Sequence, residues 1–457
     1  MTRQLSISER FDALFERIDN LEAELYQVKE ENKILTTKVV QLTKRLEKYE
    51  NPKNSKNSSK PPSSDFPRQQ KTQSLREPTD KKPGGQSGHE GTTLKCLSPD
   101  FIENHSPSYC NCCGKDLSDQ PDIYVGKRQV IDIPPIIPVV TEHQLFEKRC
   151  TCGHLNRSSY PMGVTAPVSY GENVQALIAY LSIRQFIPIK RLAEFLKDVF
   201  SLPISTGGID YVLNKVIKKA LVTYEFIRQN VLQNNVIGAD ETGVNINGQN
   251  NWAWSFQHPK ATFIAINPNR GFNAIEKIMP EGFGNNVLVT DCWPSYFKTD
   301  AGSHQLCTAH LLRELTFLQE RYKNDTWAKR LSDLIVKSLN FKKSGCITKS
   351  NVDEIMNTFI DLLYEPVNRD MNELTTFRKR MVKYADHVFY FLLHKDVPPD
   401  NNGSERAIRN FKVKIKISGF FKSIEGAKGY AVIRSVIDTA IKNEQNPLQI
   451  MKLIAHC

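Results

Sequence analysis

No run of apolar residues in this chain approaches the roughly 20 that a membrane-spanning helix needs. The first ten residues, Met1-Thr2-Arg3-Gln4-Leu5-Ser6-Ile7-Ser8-Glu9-Arg10, lack the apolar core of a secretory signal. A cytoplasmic protein with no membrane partner is therefore expected. Ten cysteines in 457 residues are too sparse for a secreted disulfide scaffold, and five of them crowd between Cys110 and Cys152. Such clustering points to metal. Proline and glycine are absent from residues 11–50, which leaves that stretch free to form one long helix. What is present excludes a wholly disordered chain: 40% hydrophobic and 9% aromatic residues can fill a sizeable core. The length allows about three domains, and 61 Lys plus Arg against 50 Asp plus Glu leave a net charge of +11.

Along residues 11–50 one apolar stripe recurs at alternating spacings of four and three. Ile18, Leu25, Val39 and Leu46 fall at position a of a heptad, and Leu14, Leu21, Val28, Leu35 and Leu42 at d. The remaining a position is Asn32, a residue that favours a parallel dimer in fixed register. Residues 1–50 are thus expected to be a leucine-zipper-like coiled coil joining two copies of the chain through residues 14–49. An amphipathic helix packed on its own chain is the alternative.

From Asn51 the composition turns to Pro, Gly, Ser and Lys. Residues 51–95 hold nine Lys or Arg and four Asp or Glu, a net of +5, so a basic disordered linker following a phosphate backbone is expected, with a merely solvated linker as the plain alternative. Lys82-Pro83-Gly84-Gly85-Gln86-Ser87-Gly88-His89 lacks the Gly-Lys-Ser/Thr ending of a phosphate loop and is not one.

Two Cys-Gly knuckles follow, Cys110-Asn111-Cys112-Cys113-Gly114 and Cys150-Thr151-Cys152-Gly153. Structural Zn²⁺ takes four thiolates in a tetrahedron, and glycine lets each knuckle turn tightly. Cys110, Cys113, Cys150 and Cys152 are the expected ligands of a zinc-ribbon-like domain over 96–165, with Cys112, His143 and His154 as substitutes because the second knuckle is one residue short. Residues 166–234 have helical spacing. Ser201-Leu202-Pro203-Ile204-Ser205 between two helices suggests either a helix-turn-helix that touches DNA or a plain helical hairpin.

Beyond Asn235 the pattern changes to short apolar runs: Val236–Asp240, Trp252–Phe256, Ala261–Ile266, Val287–Asp291 and a run from His304, with a helix near Ala274–Ile278 before the fourth and another over Ala309–Tyr322. The first turn is expected at Gly248-Gln249-Asn250. Three meandering strands, a crossover, further strands and helices is the order of a ribonuclease H-like α/β core, expected over 235–425, with a helical insertion at about 313–395 and a helical C-terminal segment over 426–457. Asp240 and Asp291 close two strands that lie side by side in that fold. Hard carboxylate oxygens there suit a pair of Mg²⁺ ions, with Mn²⁺ as an alternative. Glu405, at a helix start in Asn401-Asn402-Gly403-Ser404-Glu405-Arg406-Ala407-Ile408-Arg409, is the candidate third acid.

Four stretches in one order, Asn57-Ser58-Ser59-Lys60-Pro61-Pro62-Ser63-Ser64-Asp65, Pro83–His89, Asp240-Glu241-Thr242 and Asn401–Arg409, resemble the transposases of the insertion-sequence-66 family, DDE-type recombinases of bacterial mobile elements. The likeness extends over nearly the whole chain, departing at the short second knuckle and at Lys416–Phe421. It implies that Asp240, Asp291 and Glu405 form an acidic triad, Asp240 bridging two metal ions and the other two acids completing one site each. It also implies that Cys307 and His310 form a Cys-x-x-His element in which His310 orients the scissile phosphate, with a structural histidine as the alternative. Asn402, Arg406 and Arg409 would hold phosphate. Residues 403–434 carry eight Lys or Arg, among them Lys412, Lys414 and Arg434, against two Glu, a net of +6 that marks a DNA-binding face. The implied activity is cleavage and strand transfer at element ends, in the bacterial cytoplasm and at the nucleoid when bound to DNA, with target DNA and other element-encoded proteins as partners. A non-catalytic DNA-binding regulator and a structure-specific nuclease of the same fold are the alternatives.

Overall fold

Residues 236–306 contain the β-branched and aromatic runs of the chain, and in the computed structural model they form a five-stranded sheet. The structure describes residues 7–50, 57, 91, 95–161, 163–164, 166–345, 347–368 and 370–456. Apart from residues 57, 91 and 95, the basic linker and its two motifs lie outside them. The strands are β3 (Val236–Ile246), β4 (Gln249–His258), β5 (Ala261–Asn267), β6 (Val287–Thr290) and β7 (Ser303–Leu306), in spatial order β5-β4-β3-β6-β7. Pairing is antiparallel between β3 and β4 and between β4 and β5, and parallel between β3 and β6 and between β6 and β7. The first two strands are longer than their apolar runs suggest. The hairpin between them turns at Asn247-Gly248, earlier than expected, with φ of +48° and +82°; two residues of positive φ fit the strand twist.

Helices cover the sheet. After the helix α2 (Glu172–Ala179) and the helix α3 (Ile189–Phe200) comes α4 (Thr206–Leu232), started by Ser205, whose hydroxyl accepts from the Gly208 amide at 3.0 Å. The residues Ile209, Val212, Val216, Ala220, Ile227 and Val231 are buried along its whole length, so α4 serves as a core helix against β5. α5 (Phe272–Ile278) makes the crossover to β6. α6 (Thr308–Arg321), α7 (Trp327–Ser344), α8 (Lys349–Tyr364), α9 (Asn372–Lys383) and α10 (Tyr390–Leu393) lie between the sheet and α11 (Asn402–Ser418). These inserted helices share one hydrophobic cluster with Val289 of β6 and Leu306 of β7, so they extend the core of the sheet.

α12 (Ile424–Lys442) and α13 (Pro447–His456) end the chain. β5 is an edge strand, yet all seven of its residues are buried. Its outward amides are satisfied by α12: the Thr262 N–H donates to Thr439 Oγ1 at 3.1 Å and the Ile264 N–H to Ser435 Oγ at 2.9 Å. The Tyr224 hydroxyl of α4 donates to the Ile264 carbonyl at 2.8 Å. A covered edge cannot template pairing with another chain.

The chain divides into two compact units, and the sheet lies in the one that contains Pro161–Ala193 and Ser205–Cys457. The knuckles lie in the other. There β1 (Glu147–Arg149) and β2 (Leu155–Arg157) pair antiparallel around the second knuckle, and a bridge between Tyr109 and Asp116 closes the first. α1 (Ile7–Glu50) is one uninterrupted helix of 44 residues, and the stripe residues Ile18, Leu21, Leu25, Val28, Leu35, Val39, Leu42 and Leu46 are each 42–60% exposed.

Candidate active site

The site grows from the register of three parallel strands. Gly238 pairs with Val289 and Thr290 with Leu306. Continuing these registers by two residues and by one sets Asp240 level with Asp291, and Asp291 level with Cys307, in a row across the end of the sheet. Asp240 does not close its strand as expected: β3 runs on to Ile246, and Asp240 stands where pairing with the short β6 has stopped. Asp291 follows β6 directly, and its Oδ1 accepts from the Trp293 amide at 2.9 Å.

Glycine brings the third acid close. A Cβ on Gly238 would stand 2.5 Å from Asn401 Oδ1 and 2.9 Å from Ser404 Oγ, and one on Gly403 would stand 2.5 Å from Gln257 Nε2. The start of α11 therefore rests directly on the backbone of β3 at Gly238 and against the Gln257 side chain of β4. Asn401 pins it there. Its amide donates to the Ala239 carbonyl at 2.6 Å, its carbonyl oxygen accepts from Ser404 Oγ at 2.6 Å, and its backbone N–H donates to Cys307 Sγ at 3.3 Å. Glu405, in the first turn of α11, comes within 3.5 Å of His310 Nε2 and 3.4 Å of Arg313 Nη1, both on α6.

Negative charge concentrates here. The Asp240 carboxyl is pushed well above the usual carboxylate range, first by burial and then by the charges of Glu241, Asp291 and Glu405. Glu241 is raised too, by burial and by Asp291, against lowering contacts from Tyr296 and Arg270. All three expected acids thus belong to one electrostatic cluster. Among the described residues, however, no three His, Cys, Asp or Glu side chains meet closely enough to share one ion, and Glu405 faces His310 and Arg313 instead. The donor set remains all carboxylate, as hard divalent cations prefer.

Other expectations divide. Cys307 is buried, burial pushes its thiol up to about 11, and its sulfur accepts from the Asn401 backbone N–H. Arg406, Arg409 and Lys412 are exposed on α11, Asn402 and Lys414 are half-buried, and burial lowers the Lys414 ammonium below its ordinary value. Arg434 does not belong to the basic face: it is 2% exposed within α12 and ion-paired with Asp438 at 2.6 Å. Counting charges along a sequence cannot separate the two faces of a helix.

Several site residues were not picked out from sequence. Glu241 is buried, accepts from Arg270 Nε at 2.8 Å and from the Tyr296 hydroxyl, and stands in the quoted Asp-Glu-Thr motif. Arg270, Trp252 and Trp293 assemble around it, and only the position of Trp293, two residues past Asp291, gave a signal. The inserted helices bring Arg380 of α9 into the field of the site: against burial, the paired Glu314 and then Cys292 and Asp291 raise its guanidinium.

In the other unit each knuckle gathers its own cysteines. Gly114 and Gly153 adopt φ of +71° and +89° and donate to the Cys110 and Cys150 carbonyls at 2.9 Å. Backbone amides of Cys113 and Cys112 lower the Cys110 thiol, and that of Cys152 lowers Cys150, the bias a thiolate ligand needs. No cluster among the described residues joins the two knuckles.

The sheet, the helices from α2 to α11 and the three acids fall within residues 167–429, which match a family model described as transposase IS66 family. A fold and an acidic site inside that match make this a transposase by descent. The match spans more than half of the chain, and the chain belongs to the IS66 transposase family. Residues 107–153, with all four expected zinc ligands, match the zinc-finger binding domain of transposase IS66, and residues 4–95 match a family of unknown function. Zinc, a divalent metal and DNA come with this membership. No curated protein matches the chain.

Proposed function

We propose that the chain is a DDE-type transposase that cuts the 3′ strand at element ends and joins it to target DNA, using a ribonuclease H-like core in which Asp240, Asp291 and Glu405 hold two Mg²⁺ or Mn²⁺ ions. The observation that carries this reading is the register that sets Asp240 level with Asp291 while α11 delivers Glu405 to the same end of the sheet. The strand order, three antiparallel strands and then two parallel ones after a crossover, supports the core assignment. When bound, such ions activate the attacking oxygen and neutralise the leaving one.

The side chains prepare for that chemistry. Asp240, Asp291 and Glu405 would supply the carboxylate oxygens that hold the ions. Asn401 and the two glycines fix α11, so that Glu405 is held in place before DNA arrives. His310 and Arg313 steady the Glu405 carboxylate and stand within reach of the scissile phosphate. Arg406, Arg409 and Lys412 offer an exposed row for the phosphate backbone, with Asn402 and Lys414 closer to the sheet.

The remaining parts fit the same role. Residues 1–50 would pair two protomers through positions 14–49, and 51–95 would follow DNA as a basic arm. Residues 96–165 would form a zinc-ribbon-like domain on Cys110, Cys113, Cys150 and Cys152, and 166–234 would add a helical DNA-contacting segment. Residues 235–425 would form the catalytic domain and 426–457 its helical end. The protein would work in the bacterial cytoplasm at the nucleoid, with other element-encoded proteins as partners.

Purified protein incubated with Mg²⁺, target DNA and labelled duplex ends taken from the DNA bracketing this reading frame should yield joined product. Cleavage without joining would favour a structure-specific nuclease, and binding alone a regulator. Asp240→Asn should bind as wild type and lose chemistry; retained strand transfer would refute the metal assignment.

A further inference from the structure

Beside the acids lies an assembly that the mechanism above does not use. The Arg270 guanidinium is stacked between two indoles, with its carbon 4.0 Å from the Trp293 ring centre and 4.8 Å from that of Trp252. Its Nε donates to Glu241 at 2.8 Å, and the Tyr296 hydroxyl holds the other oxygen of that buried carboxylate. Tyr296 is itself buried and packs edge-on against Trp254 at 6.1 Å between ring centres. The guanidinium is thus held against two indole rings and along one edge. Its side chain is 37% exposed, and among the described residues its two terminal nitrogens have no hydrogen-bond partner. Trp293 adds a buried indole N–H that has no acceptor among the described residues.

A structural role alone accounts poorly for this geometry. An arginine present only to neutralise Glu241 would turn its two-pronged end to the carboxylate, the strongest arrangement available. Here Nε takes the carboxylate and the fork points away from it. The stacked, pre-oriented fork suits a planar pair of anionic oxygens and leaves little side-chain entropy to lose on binding. Its neighbours tie it to the site: Glu241, on the face of β3 opposite Asp240, feels the charge of Asp291, and the Trp293 amide donates to Asp291 Oδ1 at 2.9 Å. We propose that Arg270 is a phosphate clamp of the transposase active site, gripping the non-bridging oxygens of a DNA phosphate next to the one attacked at Asp240 and Asp291. This rests on the transposase reading. Glu241, Trp252 and Trp293 are its positioning residues.

The test uses the full chain and duplex ends from the DNA bracketing the reading frame, in which single phosphates around the cut site are replaced one at a time by neutral methylphosphonate. Binding is measured by fluorescence anisotropy without added divalent metal, and cleavage with Mg²⁺. In the wild type one such replacement should weaken kcat/KM about 10- to 100-fold, the usual range for a charge-assisted contact. Arg270→Lys should suffer a comparable loss on unmodified DNA and little further loss from methylphosphonate at that position. In Arg270→Ala the slope of log Kd against log salt should fall by about 0.9, one phosphate contact. Lysine keeps a cation for Glu241, so an unchanged melting temperature separates this result from misfolding; Arg270→Ala supplies the full deletion. Equal sensitivity of wild type and both variants at every position would overturn the clamp. A wild type that neither binds nor cuts these ends would overturn the transposase reading itself.

Discussion

Asn401 decides where Glu405 stands, because one side chain satisfies a β3 carbonyl and an α11 hydroxyl while its backbone N–H uses the Cys307 thiol. Replacing it with alanine leaves the buried Ala239 carbonyl and Ser404 hydroxyl without partners. We expect Asn401→Ala to lose about 1–3 kcal/mol in urea unfolding. Cleavage should fall more than about 10-fold, since small misplacements of a catalytic group are costly. A variant unfolding and cutting as wild type would deny Asn401 this role. A second effect at this scale concerns His304, packed at 5.4 Å from the His387 ring, with the Nδ1 of both rings buried and without a hydrogen-bond partner among the described residues. Burial first, and then the neighbouring His387, lower His304 to about 4. A histidine whose folded pKa lies below the unfolded value of about 6.5 favours the native state while neutral, and that contribution is lost as pH falls from 6.5 toward 4. Stability should therefore drop by roughly 2–3 kcal/mol between pH 7 and pH 4 through this residue. Denaturation curves of His304→Gln should be correspondingly flatter over that interval, and parallel curves would refute the assignment.

At the scale of elements, the strands were legible because buried apolar runs separated by turn residues leave few other readings, and β5 and β6 fall within one residue of expectation. The length of β3 was not legible. Asp240-Glu241-Thr242 looks like a polar stop, and only the pairing with β4 explains why the strand continues through it. The inserted helices were readable as helices, but not as part of the sheet's core, because the cluster that gathers Leu331, Phe359 and Phe389 with Val289 and Leu306 joins segments distant in sequence. Arg434 and Arg270 fail for a related reason: the partners that bury one and orient the other come from other segments. α1 is the opposite case, since its heptads were fully visible and its exposed stripe still lacks a local partner among the described residues. A helix of 44 residues, about 66 Å long, with that stripe open should pair with a second copy. Light scattering should give a dimer, and Leu21→Asp with Leu25→Asp should give a monomer that still binds single DNA ends. A wild-type monomer at micromolar concentration would refute the pairing.

At the scale of the whole molecule, the two units depend on metal in different ways. The sheet unit has a large apolar core built from β3–β7 and the surrounding helices, so its folding needs no ion. The knuckle unit has almost none: Ile123, Val125, Val130, Ile133, Val139 and Val140 are all exposed, and its only ladder among the described residues is the three-residue pair β1–β2. Such a segment gains its stability from ligation, since binding energy at a structural zinc site is folding energy. Zinc chelation should therefore open amides over 96–165 to rapid hydrogen exchange while leaving those of β3–β6 protected, and the melting temperature of the sheet unit should not move. Readdition of Zn²⁺ should restore protection, and Cys113→Ser should prevent that restoration. Mg²⁺ should do neither, because hard cations bind thiolates poorly. Protection of 96–165 that survives chelation would show that the knuckles fold without metal, and would remove the reason for four cysteines to stand where they do.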